Sequence, residues 1–428
     1  MTTTIRQTLA MIREEKLYSA MYIAGTALAI AFVMLIAEVY YVKMADIAPE
    51  VNRSKTYYLQ ALGLDEAGGA ARGIMTEDLP LFQSMKTPEC QTVIGWSFSE
   101  TPIFITLADG IHDRQSSIKL TDPAFFRLYQ FQFIEGAPFS QNDFDSHRRV
   151  VVISDEIAEK VFGKDVKAVG KTIHFCHADY RVCGVVKKPS SLMEMCVADV
   201  WAPYTAETLT EEMGLGKIEY SNIEIYFNVP SNKDEAFMKE LKEVEARYNA
   251  VHKDDQVNMT TFLYSHNKGV WSSIGFMLGD SRRTIWYVLP AILLLLLVPA
   301  LNLSGMVASR MDRRLPEMAI RKAFGAKRPT LLGQVITENL ILTLIGGAFG
   351  LCMAWTALYA WRDWVFHVFS AGTTIYDSVP VIQGEMLFSP AIFLISLLVC
   401  GLLNVLAAAL PAWLSLRKPI VESMGLKK

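Results

Sequence analysis

The side chains best suited to metal chemistry are His174, Cys176, His177 and Cys183, an imidazole and thiol set of the kind zinc takes. On a strand, His174 and Cys176 share one face while His177 points to the other, so the four do not converge. Ordinary strand residues are the simpler reading. Cys176 and Cys183 could instead face each other across a hairpin as a disulfide, and Cys90 and Cys196 could form a second one. Gly170-Lys171-Thr172 ends like a phosphate loop, but that motif needs glycine at 165, where Asp165 stands. No G-x-S-x-G elbow, H-E-x-x-H helix or Walker A sequence occurs. The chain is therefore expected to be no enzyme, with no metal site and no cofactor of its own.

A second stretch, Ser309–Arg328, is dense in charge and well punctuated. Pro316 can open a short helix with Glu317 in its first turn, where the helix dipole favours a carboxylate. Arg321 and Lys322 follow in the last turn, and Gly325 is placed to end it. Met318, Ala319 and Phe324 give it a small apolar surface. Such a helix can dock in a groove of a soluble partner; the alternative is a basic loop held by anionic lipid heads.

What positions these residues is a membrane. Four runs lack Asp, Glu, Lys and Arg: Leu17–Ala37, Thr284–Ser309, Asn339–Trp361 and Met386–Leu416. Each reaches the roughly 20 residues that cross a hydrocarbon core. The chain is 51% hydrophobic and only 20% charged over 428 residues, which excludes an ordinary soluble enzyme. Its net charge of −3 excludes a basic nucleic-acid binder. Basic residues gather in 1–16, 310–338 and 417–428, whereas loop 362–385 holds only Arg362. Positive-inside then puts both termini and 310–338 in the cytoplasm. The near neutrality hides a cytoplasmic face of +8 against −11 outside.

The expected order is a cytoplasmic amphipathic helix (1–16), a first membrane helix (17–42), an extracytoplasmic α+β domain (43–283) and a second helix (284–309). A cytoplasmic loop with its short helix (310–338), a third helix (339–361), a short outer loop (362–385), a fourth helix (386–416) and a cytoplasmic tail (417–428) complete it. Within the large domain, strands are expected at Pro102–Leu107, Val150–Ser154, Lys171–Phe175, Tyr180–Lys187 and Asn222–Val229. The hairpin turn is expected at His177-Ala178-Asp179. Helices are expected at Asp155–Phe162, capped by Ser154, and at Lys233–Ala250. Gly63–Gly73 and Lys187–Ser191 are the nearest candidates for linkers. Glu38 is expected to reach interfacial water. Gly346, Gly347 and Gly350 would allow close helix contact, or merely bend the third helix.

The loop from Arg314 to Ala326 resembles the "R-x-x-E-[IM]-x-[IV]-R-[KR]-A-x-G-A" motif of FtsX-like ABC-transporter permeases, the MacB-type mechanotransmission group. The match continues into Gln334 and Glu338 and back into Asn302-Leu303-Ser304-Gly305 and Ser309-Arg310. The tail Pro419-Ile420-Val421-Glu422 resembles the family's "P-x-E-A-L" ending. Phe125-Phe126, Glu135-Gly136, Phe139, Asp143, Val151–Ser154, Phe162-Gly163, Gly170-Lys171 and Tyr180–Val186 resemble the MacB periplasmic core in the same order.

The resemblance implies an α-helical membrane protein of the bacterial inner membrane. Four transmembrane helices, split 1+3, would carry a periplasmic α+β domain. It implies a permease subunit without a fused ATPase, since no Walker A is found and 16 residues precede the first helix. A cytoplasmic ABC ATPase would bind ATP and Mg and engage the short helix. Arg314, Glu317, Ile320, Arg321, Lys322, Ala323 and Gly325 would carry the coupling. Partners would include a second permease copy (homodimer or paralogue heterodimer) and the lipid bilayer. A membrane-fusion protein and an outer-membrane channel are further candidates, and nucleic acid is not expected. Efflux of drugs, peptides or similar substrates is the expected function. The alternatives are a signalling receptor with a ligand-binding outer domain, or a lipoprotein-release or cell-wall-hydrolase-regulating permease.

Overall fold

A computed structural model describes residues 14, 16–64, 70–95, 103–107, 113–190, 193, 195–206, 223–253, 256–266, 304–305, 307–309, 311, 313–314, 316–361 and 389–417. The expected amphipathic helix, most of the second membrane run, loop 362–385 and the tail beyond 417 lie outside these residues. The chain divides into two units: 1–41 with 282–369 and 383–428, and 42–281 with 370–382.

In the first unit, α1 spans Lys16–Met44; its last turn belongs to the second unit. Three helices among the described residues are long and apolar enough to cross a membrane: α1 and the two that we label α8 (Arg328–Ala360) and α9 (Pro390–Arg417). Small residues let them approach. A Cβ on Gly346 would meet Thr26 at 2.9 Å, and one on Gly350 would meet the Ala27 carbonyl at 2.7 Å, so this face of α8 lies against α1. Gly347 faces α9 instead, 2.6 Å from Leu397 by the same measure. The three glycines thus serve close packing, as a small-x-x-x-small stripe does. Thr343 ties the same helices with polar contacts, 3.3 Å from the Tyr22 hydroxyl and accepting from Asn404 at 3.2 Å. Glu38 is buried, at 1% exposure, and does not reach interfacial water; the helical unit covers it.

The second unit is built on one sheet. Its strands are β1 (Thr56–Leu59), β4 (Cys90–Gly95), β7 (Ile118–Thr121), β8 (Phe133–Gly136), β9 (Val150–Ser154), β10 (Thr172–Phe175), β11 (Ala178–Val186), β12 (Val200–Pro203), β13 (Ile223–Asn228) and β14 (Leu263–Ser265). The order is β10-β11-β9-β12-β7-β4-β13-β1-β14, with β8 also on β11. Pairs β9–β11 and β7–β12 are parallel, and the others antiparallel. Two-stranded pieces, β2 (Ala61–Gly63) with β3 (Ala71–Gly73) and β5 (Ile103–Thr106) with β6 (Asp113–Ser116), sit outside it. β2 and β3 at the two ends of Gly63–Gly73 pair with each other, and β11 and β12 on either side of Lys187–Ser191 belong to one sheet, so neither interval divides the domain.

Four short or mid-length helices join these strands: α2 (Leu79–Gln83), α3 (Phe125–Leu128), α4 (Gln141–Asp145) and α5 (Asp155–Phe162). Ser154 caps α5, its hydroxyl accepting from the Ile157 amide at 3.3 Å, which satisfies one orphan donor. The longer α6 (Asp234–Val251) buries Phe237, Leu241, Val244 and Tyr248, the stripe its periodicity predicts. Phe237 packs 5.2 Å from both Tyr57 and Phe227, centroid to centroid, so α6 covers one face of β1 and β13. On the opposite pleat Tyr58 stacks on Tyr226 at 5.6 Å and lies 5.8 Å from Tyr264.

The β10–β11 turn is made by Cys176 and His177, both at positive φ (47° and 53°), because Phe175 pairs with Ala178. It falls one residue before the expected place. Cys176 is consequently a turn residue that shares no strand face with His174. Cys183 lies far along β11, with its thiol on the Val151 carbonyl at 3.2 Å. His174 pairs with Asp179 at 2.8 Å. No metal-ligand cluster exists among the described residues, and all six cysteines are free thiols.

Candidate coupling site

The described residues between 304 and 323 are all helical, including 313 and 314. Pro316 is itself helical, and the residue before it lies outside the described residues; we label 316–323 α7. Its other end lies where the glycine predicts. Gly325 adopts φ +92°, a conformation that costs an L side chain strain. The Ala326 amide donates to the Arg321 carbonyl and the Gly325 amide to the Lys322 carbonyl, both at 3.0 Å, which is the paired pattern of a Schellman cap. No atom lies within 4 Å of a Cβ built on Gly325, so backbone conformation and not space demands glycine.

α7 has two unlike sides. Met318 and Ala319 are buried, and Met318 joins Tyr22, Val307, Met311, Leu331 and Val335 in one apolar cluster. The expectation that Met318 and Ala319 form a docking surface is thus corrected, since the bundle uses them itself. Ile320 is 50% and Phe324 88% exposed, one turn apart on the same side. Ala323 is exposed beside them.

A polar relay links α7 to α8. Glu317 accepts from Arg321 at 2.6 Å, and Arg321 donates to the Gln334 amide oxygen at 3.0 Å. Gln334 donates to Glu338 at 3.1 Å, and Glu338 accepts from Arg314 at 3.0 Å. Five side chains, two from α7, two from α8 and Arg314 ahead of α7, so form one chain of hydrogen bonds, with charged members at both ends. Glu338 is its buried anchor, at 3% exposure. Partial burial, and then the neighbouring Arg328 charge, hold the Lys322 ammonium below its usual range.

Of the residues expected to act together, Arg314, Glu317 and Arg321 meet through the relay. Ile320 and Ala323 stand on the exposed side, Lys322 near Arg328, and Gly325 at the cap. Gln334 and Glu338, which the motif extends to, are the members whose role the residue types alone left unread. Their signal was an i, i+4 polar pair preceding an apolar run. α8 begins at Arg328, eleven residues before the uncharged run, so both residues lie on its first three turns.

A MacB-like periplasmic core domain matches residues 19–244, more than half of the chain, and an FtsX-like permease C-terminal domain matches 290–420. The macrolide export ATP-binding/permease protein MacB of Pasteurella multocida is 24% identical over 72% of this chain and 42% of its own length. An uncharacterised ABC transporter permease of Bacillus subtilis, YknZ, is 21% identical over 58% of this chain and 62% of that one. The chain thus spans less than two thirds of each of these relatives. The periplasmic region of MacB from Actinobacillus actinomycetemcomitans aligns with a TM-score of 0.36 at 15% identity, covering 50% of this chain and 90% of that one. With the domain matches in hand, the chain belongs to the MacB- and FtsX-like family of ABC-transporter permeases, as a member that carries a large extracytoplasmic α+β domain.

Proposed function

We propose that this chain is the membrane-embedded, non-catalytic subunit of an exporter, moved by a separate cytoplasmic ABC ATPase that holds ATP and Mg. The observation that carries this reading is the two-sided α7: Met318 and Ala319 anchor it in the bundle, while Ile320 and Phe324 are left exposed. Exposed apolar side chains on a short capped helix suit a groove in a soluble partner. The relay through Arg321, Gln334 and Glu338 then passes a push on α7 to α8. In this reading the protein sits in a bacterial inner membrane with both termini and α7 on the cytoplasmic side. It works as a dimer, and its periplasmic domain acts on cargo outside the membrane. The Pasteurella relative named for macrolide export favours small-molecule efflux over lipoprotein release.

Glu317→Lys tests the role. It sets a second cation one turn from Arg321 and breaks the first bond of the relay. ATP hydrolysis by the reconstituted complex is expected to lose its dependence on the permease, with insertion unchanged. Unchanged stimulation would refute the coupling role.

A further inference from the structure

Where α1 ends, its last carbonyls are held by side chains from elsewhere in the second unit. Arg53 donates through Nη1 to the Val42 carbonyl at 2.5 Å and the Ala45 carbonyl at 3.1 Å. His266 meets the Lys43 carbonyl at 2.8 Å. A helix leaves its final carbonyls without intrahelical partners, and basic side chains there also suit the dipole. The remaining arms of the same guanidinium reach Glu50 at 2.5 Å and the Met193 sulfur at 2.8 Å. Glu50 in turn accepts from the Met195 and Cys196 amides, each at 3.0 Å. Lys119, on β7, donates to the Met195 carbonyl at 2.6 Å. Trp201, on β12, donates to the Cys196 carbonyl at 3.0 Å.

The path therefore runs from the end of α1 through Arg53 and Glu50 to Met193, Met195 and Cys196, and from there to two central strands. Every ionic member is buried, with Glu50 1%, Lys119 2%, Arg53 4% and His266 6% exposed. Between Met44 and β1 the covalent chain is eleven residues of turns, bends and one short 3-10 helix, which alone would take up any small displacement of the helix. The hydrogen-bonded route bypasses the backbone of those residues.

We propose that Glu50 and Arg53 are positioning residues that weld the last turn of α1 to the sheet, so that motion of α1 reaches β7 and β12 without being absorbed in residues 45–55. The functional half of this inference rests on the exporter reading above; the weld itself does not.

Amide hydrogen exchange of the full chain in lipid nanodiscs tests it. In Arg53→Gln, amides 42–50 are expected to exchange at least tenfold faster, while β4 keeps its protection. Arg53→Lys is expected to recover part of that protection. Unchanged exchange at 42–50 in a folded Arg53→Gln variant would overturn the weld. Should that variant fail to fold, His266→Phe, which removes the bond to the Lys43 carbonyl and the imidazole beside Glu50 but keeps Arg53, carries the same comparison. With the co-purified ATPase trapped by vanadate, Arg53→Gln is expected to keep hydrolysis but lose the nucleotide-dependent exchange change in β7 and β12. Retention of that change would also overturn the weld. If no ATPase binds wild type or variant, the exporter reading fails while the difference at 42–50 persists.

Discussion

Two of the arginine–carboxylate assemblies among the described residues, one at α7 and one at the end of α1, differ in almost every physical respect. At α7, Arg321 and Glu317 form an exposed i, i+4 pair, and only Glu338, between Gln334 and Arg314 in the relay, is buried. At the end of α1, Arg53 and Glu50 are both buried, and each makes three or more polar contacts. Exposed pairs contribute about 0–1 kcal/mol and rearrange freely. Removing one partner of a buried, fully bonded pair costs about 3–5 kcal/mol, because it strands the other charge. On these magnitudes the exposed pair can exchange partners at little cost and the buried one cannot. That contrast is what a device needs if it accepts a push at one end and delivers it undiminished at the other.

The largest expected effect is therefore at the fixed end. Arg53→Ala should destabilise the extracytoplasmic domain by about 3–5 kcal/mol in chemical denaturation of the full chain, whereas Glu317→Ala should cost under ~1 kcal/mol. Equal costs would erase the distinction.

Acid should reveal the same asymmetry. Burial opposes the charge on Glu50, yet Arg53, then His266 and Lys119, hold its carboxyl below the ordinary 4.5. A carboxyl lowered on folding contributes stability above its unfolded pKa and loses it as pH falls through the folded value. The unfolding temperature should accordingly hold from pH 7 to about 5 and fall below about 4.5. Glu156 adds to the fall: burial opposes its charge too, but bonds from Lys160 and Lys188 hold it at about 2. Glu50→Gln should start lower and fall less steeply; a parallel curve would mean that Glu50 carries no linked proton.

A smaller effect belongs to the end of α7. Gly325→Ala should cost about 1 kcal/mol through the positive φ alone, since space is free there. Faster exchange at amides 325 and 326 is the readout, and unchanged protection would show that the cap adds nothing.

How much of this could be read in advance follows from how local each signal is. β9 at Val150–Ser154 and α5 at Asp155–Phe162 are legible to the residue, because a β-branched run, a capping serine and an apolar stripe sit in consecutive positions. The four-residue stripe of α6 is equally local. The turn at Cys176–His177 is displaced because neither residue advertises positive φ as Gly or Asn would. α8 starts well before the uncharged run because absence of charge marks where lipid begins, and a helix can enter lipid with charged turns already formed. In the coupling site, Glu317, Arg321 and Gly325 announce themselves by spacing. Met318 does not, since whether a methionine faces the bundle or a partner depends on α8 and α9, far away in sequence. Glu50 and Arg53 leave no trace at all. Two charges three residues apart read as surface, and only contacts with Val42, Met195 and Cys196 bury them.

The central claim is that the exposed side of α7 receives the ATPase. Ile320 is half and Phe324 almost fully exposed, so Ile320→Asp with Phe324→Asp changes that surface at little expected expense to the fold. The decisive measurement is the amount of ATPase that co-purifies with the tagged permease from membranes, against wild type at equal expression and equal unfolding temperature. Our account predicts at least a tenfold loss of bound ATPase; full retention by a folded double variant would contradict it.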